Sequence, residues 1–210
     1  MNETRWASLA VWLAFVWLVF SPARALAATN FDDTIRIPLT IHVATEAGRS
    51  VVSESKVLAS VRQANRELSA FNIVLIVDKI VPMRGVSQIE TPDERFALAR
   101  KAPRDGTVHV FFVDRVRLTS ARKGDRRVSG MHWRYHGLSS SIHGREYLAV
   151  AHNAPTTTLA HEVGHAFGLT HAKQEDNLMC SCRRDVNPEF TPRQGRKLRS
   201  GARRYLARSR

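Results

Sequence analysis

Cysteine is nearly absent: the 210 residues contain two, Cys180 and Cys182. A disulfide framework of the kind that staples small secreted domains is therefore excluded, and stability must come from a hydrophobic core, with or without a metal. Two cysteines one residue apart can close a small ring in an oxidising compartment, stay reduced, or offer two ligands to an ion. The first two are expected, because two ligands make a weak second metal site. Acidic residues are also scarce, 19 against 32 Lys and Arg, which leaves a formal net charge of +13. Such a surface attracts anionic partners, whether nucleic acid, anionic lipid, envelope polymers or acidic polypeptides, and charge alone does not choose among them. Long hydrophobic runs are missing too. The longest, Trp6 to Phe20, has 15 residues, where a bilayer span needs about 20.

That run has the form of an export signal rather than an anchor. Arg5 precedes it, Ser21-Pro22 breaks it, and Ala25-Leu26-Ala27 places small residues where a signal peptidase reads. Residues 1–27 are expected to be cleaved, leaving a mature chain from about Ala28 that is periplasmic or secreted. Residues 28–210 are enough for one domain with its own core.

Along that stretch, Ile35 to Val43 alternates as a strand, and Ser53 to Phe71 carries Val57, Val61, Ala64, Leu68 and Phe71 at helical spacing. Ile73 to Val77 and Val108 to Val113 read as buried strands, and strand–helix–strand order predicts a crossover and a largely parallel sheet. Arg115 to Arg127 reads as a basic loop, with Val128 to His136 and Glu146 to His152 as further strands. Thr191 and Pro192 open a C-terminal helix whose apolar stripe is Leu198, Ala202, Tyr205 and Leu206. The fold class is thus layered α/β.

Residues 161 to 171 read H-E-V-G-H-A-F-G-L-T-H. With this composition the five fixed positions arise by chance on the order of 10⁻⁵ to 10⁻⁴ per sequence. On a helix of 3.6 residues per turn, His161 and His165 share a face and can reach one ion. Glu162 sits one step round, beside the metal rather than on it. Gly168 can end the helix in a left-handed turn that lets His171 approach as third ligand. Three histidines leave one tetrahedral position of a single Zn²⁺ open, the arrangement of a catalytic site. Glu162 would then take a proton from metal-activated water and pass it to a leaving amine.

This segment resembles the metzincin signature H-E-x-x-H-x-x-G-x-x-H, with Met179 where that clan keeps its Met-turn beneath the metal. The step from His171 to Met179, with Asn177-Leu178 before it, is similar to the matrixin-like branch. The resemblance implies a zincin-like domain: a twisted mixed sheet of about five strands and an active-site helix in an upper part, residues 28–168. Met-turn and C-terminal helix would form a lower part, residues 169–210. It also implies a metalloendopeptidase whose peptide or protein substrate lies extended along an edge strand, here between Val128 and Tyr147. Three departures stand out. Ser181 occupies the position of the extra tyrosine ligand of astacins and serralysins. No cysteine precedes the domain to act as a switch, and Ala28 to Ile35 leaves no room for a propeptide.

Other readings remain open. The same metal and Glu162 would serve a hydrolase of non-protein amides in the cell envelope. A basic binding protein with structural zinc is the third, though such a site has no use for Glu162. His132, His136, His143 and His152 cluster before the motif, and ordinary loop and strand histidines are expected there rather than a second metal site. From Arg183 to Arg210, ten basic residues face two acidic ones, so the last helix is a candidate contact for an anionic partner. No nucleic-acid motif is present, and a monomer is expected.

Overall fold

The computed structural model describes residues 33–120, 124–182 and 187–209; the expected signal segment lies outside them. Strand β1 (Ile35–Glu46) lies in the middle of a mixed sheet, with Ile37, Leu39 and Ile41 fully buried. On one side it pairs in parallel with β3 (Ile73–Met83), on the other with β5 (Val108–Val113). A short strand β2 (Arg49–Ser50) folds back on its end. β5 pairs in parallel with β9 (Glu146–Ala151), and β9 pairs antiparallel with β8 (Gly130–Arg134), which closes the row β3-β1-β5-β9-β8. Every residue of β5 and of β9 is buried, as in strands covered on both faces, with His109 and Glu146 the polar exceptions to their apolar runs.

Helix α1 (Glu54–Ser69) makes the crossover between β1 and β3. Ser53 caps it, and the buried positions are Val57, Ser60, Val61, Ala64 and Leu68, four of them on the stripe read from the sequence. Asn72 follows at φ 52° as the helix stop. Helix α3 (Thr158–Ala166) carries the histidine motif and packs beside α1 under the sheet. Helix α4 (Pro192–Arg208) starts at a Thr191–Gln194 capping box with Pro192 in its first turn. Leu198, Ala202 and Tyr205 are buried, and Leu206 is half-buried.

Three differences from the sequence reading stand out. Arg115 to Arg127 is not a loop: β6 (Arg115–Ser120) and β7 (Gly124–Val128) form an antiparallel hairpin, with β4 (Gln88–Ile89) alongside β6. Val116 and Leu118 do alternate, but arginines between them mask the period that marks a strand. Val128 accordingly ends β7 instead of starting the next strand, which begins at Gly130. A helix α2 (Pro92–Lys101) also intervenes, where the sequence reading had none. It buries only Leu98 and Ala99, too little for an apolar stripe, although its Thr91–Glu94 capping box and Pro92 are local start signals.

Helix α4 docks against the end of α3 at Gly201, where an added Cβ would stand 1.9 Å from the Phe167 carbonyl oxygen. In an exposed helix, Gly→Ala stabilises by about 1 kcal/mol. Here the obstacle is backbone, so the two helices would have to separate. Gly201→Ala is therefore expected to destabilise the fold by about 1–3 kcal/mol, read as a lower midpoint in urea unfolding.

Candidate metal and catalytic site

Helix α3 ends in a Schellman turn. Gly168 takes φ 93°, its N–H bonds to the His165 carbonyl at 2.9 Å, and the Leu169 N–H bonds to the Gly164 carbonyl at 2.8 Å. The reversal has two effects on the site. It turns the Leu169 carbonyl back onto His165, whose Nδ1 lies 2.9 Å away, and it brings His171 round to face α3. The segment after it is clasped by Ala172 N–H to the Met179 carbonyl, 2.9 Å.

The turn at Asn177-Leu178-Met179 packs against α3. Asn177 Oδ1 accepts from the Met179 N–H at 2.9 Å. The Asn177 and Gln194 side-chain amides pair reciprocally at 3.0 Å, so the cap of α4 is bonded to this turn. Leu178 offers its carbonyl to His161 Nδ1 at 2.7 Å. Met179 is fully buried, its sulfur 2.5 Å from where a Cβ on Gly164 would stand. Only glycine in the middle of the motif lets the methionine come this close under α3.

The three histidines converge. His165 Nε2 lies 3.2 Å from His161 Nε2 and 3.1 Å from His171 Nε2. A tetrahedral ion with metal–nitrogen bonds near 2.05 Å separates its ligands by about 3.3 Å, so the spacing fits zinc. Among the described residues, these three form the group able to hold an ion. Carbonyls on Nδ1 of His161 and His165 favour the proton there, which leaves Nε2 with the lone pair a metal needs. Burial pushes the His165 pKa down to about 4, against the opposing Leu169 hydrogen bond and with help from His171. The ring is therefore neutral at neutral pH.

Glu162 is buried at 4% exposure, between α3 and the start of β8. Its Oε1 lies 2.8 Å from where a Cβ on Gly130 would stand. Glu162 and the three histidines line one cleft of about 620 Å³. β8 lines one edge of it, and among the described residues that strand pairs with β9 alone, so its other side offers backbone groups to the cleft. Ser181 and the Cys180–Cys182 pair form a further part of the wall; the two cysteines are bonded to each other.

The other flagged histidines go elsewhere. His132 lines the cleft, but its Nε2 is held by Glu146 at 2.7 Å. Arg208 of α4 holds the same carboxylate at 2.7 Å. Burial alone would raise the Glu146 pKa; the His132 bond and the Arg208 charge keep it below the usual range. His143 Nδ1 meets the Gly137 carbonyl and His152 Nδ1 the Asp114 carbonyl, while His136 is exposed in the loop after β8. Of the α4 arginines, Arg199 and Arg203 pair with Asp33 at 2.6 and 2.8 Å, and Arg199 also bonds the Phe71 carbonyl. Part of that basic face is thus used inside the fold. Sequence reasoning missed the Leu169 and Leu178 carbonyls, Gly130 and Arg95, another residue of the cleft. None has a sequence signal, since each acts through a backbone atom or a distant chain segment.

No protein-family model matches the chain, and no curated protein matches it in sequence. The fold is similar to solved metallopeptidases. Metalloproteinase-II from Bacteroides fragilis matches with a TM-score of 0.54 and 12% identity, over 80% of this chain and 53% of that one; this chain spans about half its length. Mature mirolysin of Tannerella forsythia, in complex with a cleaved peptide, matches with a TM-score of 0.51 and 13% identity, over 82% and 95%. Mirolysin in complex with a small compound matches with a TM-score of 0.59 and 13% identity, over 82% and 96%. The layered α/β, zincin-like architecture expected from the resemblance is the one observed.

Proposed function

We propose that this chain is an exported zinc metallopeptidase in which His161, His165 and His171 hold one zinc ion and Glu162 is the general base. The carrying observation is the convergence of three imidazole Nε2 atoms, two of them oriented by carbonyls on Nδ1, beside a buried carboxylate in an open cleft. Similarity of fold to solved metallopeptidases supports the same reading. A bound zinc supplies Lewis acidity, polarising a substrate carbonyl and making water acidic enough to attack at neutral pH.

The chain's own residues do the rest. Glu162 accepts the proton of the attacking water and delivers it to the departing amine nitrogen. The free side of β8 pairs with an extended polypeptide, which holds the scissile carbonyl across the cleft. The Leu178 carbonyl keeps His161 from turning. His132, Glu146 and Arg208 tie the edge strand to α4.

Export from a signal in residues 1–27 belongs to the same proposal. The Cys180–Cys182 bond suits an oxidising compartment, and no described helix is long and apolar enough to cross a membrane. An anionic partner at the exposed arginines of α4, Arg193, Arg196 and Arg204, remains a proposal too. Denatured casein is expected to be cleaved by the purified mature chain, to be spared after chelation, and to be cleaved again when zinc is restored. Intact casein and an uncut peptide library under zinc-replete conditions would contradict the peptidase reading.

A further inference from the structure

Apart from the histidines and Glu162, the charged lining of the cleft is basic. Arg95 from α2 and Arg126 and Arg127 from β7 line it, while the one carboxylate lining it is Glu162. None of the three arginines makes an ion pair among the described residues. The nearby acids face other groups, although the buried Oε1 of Glu90 has no hydrogen-bond partner of its own. Glu90 and Asp125 both face Arg117, at 3.6 and 3.9 Å. Glu94 accepts from the Glu90 and Thr91 N–H groups as the cap of its own helix, at 2.6 and 2.8 Å.

Arg95 is the most telling. Among the described residues its buried Nε has no hydrogen-bond partner, and its guanidinium makes one long contact, 3.5 Å from Nη2 to the Arg117 carbonyl. A guanidinium has five N–H donors in a planar fork that matches a carboxylate. Leaving a buried donor unpaired is unfavourable unless a ligand completes it. Leu118 and Trp133 line the same cleft, and apolar surroundings strengthen any charge pair formed there. A polypeptide extended along β8 would turn alternate side chains toward this lining.

Resting on the peptidase reading above, we propose that Arg95, backed by Arg126 and Arg127, selects polypeptides with Asp or Glu side chains close to the scissile bond. The carboxylate would take the guanidinium donors of Arg95 that the Arg117 carbonyl leaves unused, and the two β7 arginines would draw acidic segments into the cleft.

Matched fluorogenic peptides that differ only by Glu or Gln, scanned through the positions on either side of the cleaved bond, test this. For at least one position, the zinc-loaded enzyme is expected to favour Glu by about 10–100-fold in kcat/KM. Raising salt from about 0.05 to about 0.5 M should shrink that ratio. In Arg95→Gln the ratio should fall to about one, and Arg95→Lys should restore part of it, because charge survives while the fork does not. The ratio is read within each variant, so loss of stability does not imitate loss of selectivity. Equal cleavage of Glu and Gln peptides by the wild type at every position overturns this proposal and leaves the peptidase reading standing. So does a Glu preference that Arg95→Gln leaves unchanged, for Arg95 would then only brace α2 against β6. Failure to cleave any peptide, neutral or acidic, overturns both.

Discussion

Glu162→Gln is expected to keep the fold and the metal while peptide hydrolysis falls by about 10²–10⁴-fold. The side chain is nearly isosteric, so the packing between α3 and the start of β8 survives, and no imidazole is touched. On the role proposed for Glu162, what is lost is the ability to accept a proton from the attacking water and return it to the amine. Glu162→Ala should lose activity similarly, since alanine favours helix and removes no metal ligand. The measurement is kcat/KM on one peptide for wild type and both variants, with circular dichroism on the same samples. Near-normal hydrolysis in Glu162→Gln would mean that another group is the base.

Removing a ligand should act on stability as well as activity. Metal that binds the folded chain alone stabilises it by about 4 kcal/mol when free ligand is 1,000 times Kd. For a domain of this size that corresponds to roughly 8–16 °C in melting temperature. His161→Ala, His165→Ala and His171→Ala are each expected to lose most of it. His161→Ala should be the most damaging of the three, because His161 is buried and also occupies the Leu178 carbonyl, which would be left unpaired. A chelator should bring the wild type down toward the variants and leave the variants nearly unmoved. Identical melting of the wild type with and without chelator would contradict metal-linked folding.

The legible part of the molecule is the part written in local periodicity. The histidine spacing follows from helix geometry, and Gly168 from the backbone conformation its turn requires. Thr191-Pro192 announced α4, and the stripe from Val57 to Leu68 announced α1. The hairpin of β6 and β7 was illegible because its apolar positions are separated by arginines and its pairing is made by backbone. Helix α2 buries two residues, so its start was written in Thr91, Pro92 and Glu94 but its face was not. What the cleft takes from remote segments was hidden for a different reason. Arg95 reaches the cleft from α2, whose Phe96 packs on Trp133 of the edge strand, and His132 and Arg208, 76 positions apart, share the Glu146 carboxylate. Such meetings depend on tertiary packing, which no spacing within a single segment encodes.

The central claim is that three histidines hold one zinc while Glu162, their neighbour, does not. Zinc content by elemental analysis, on the wild type, the three His→Ala variants and Glu162→Gln prepared side by side, tests it most directly. Close to one zinc per chain is expected in the wild type and in Glu162→Gln, with substantially less in each histidine variant. Full occupancy in all three histidine variants, or a Glu162→Gln protein that has lost its zinc, would contradict the claim.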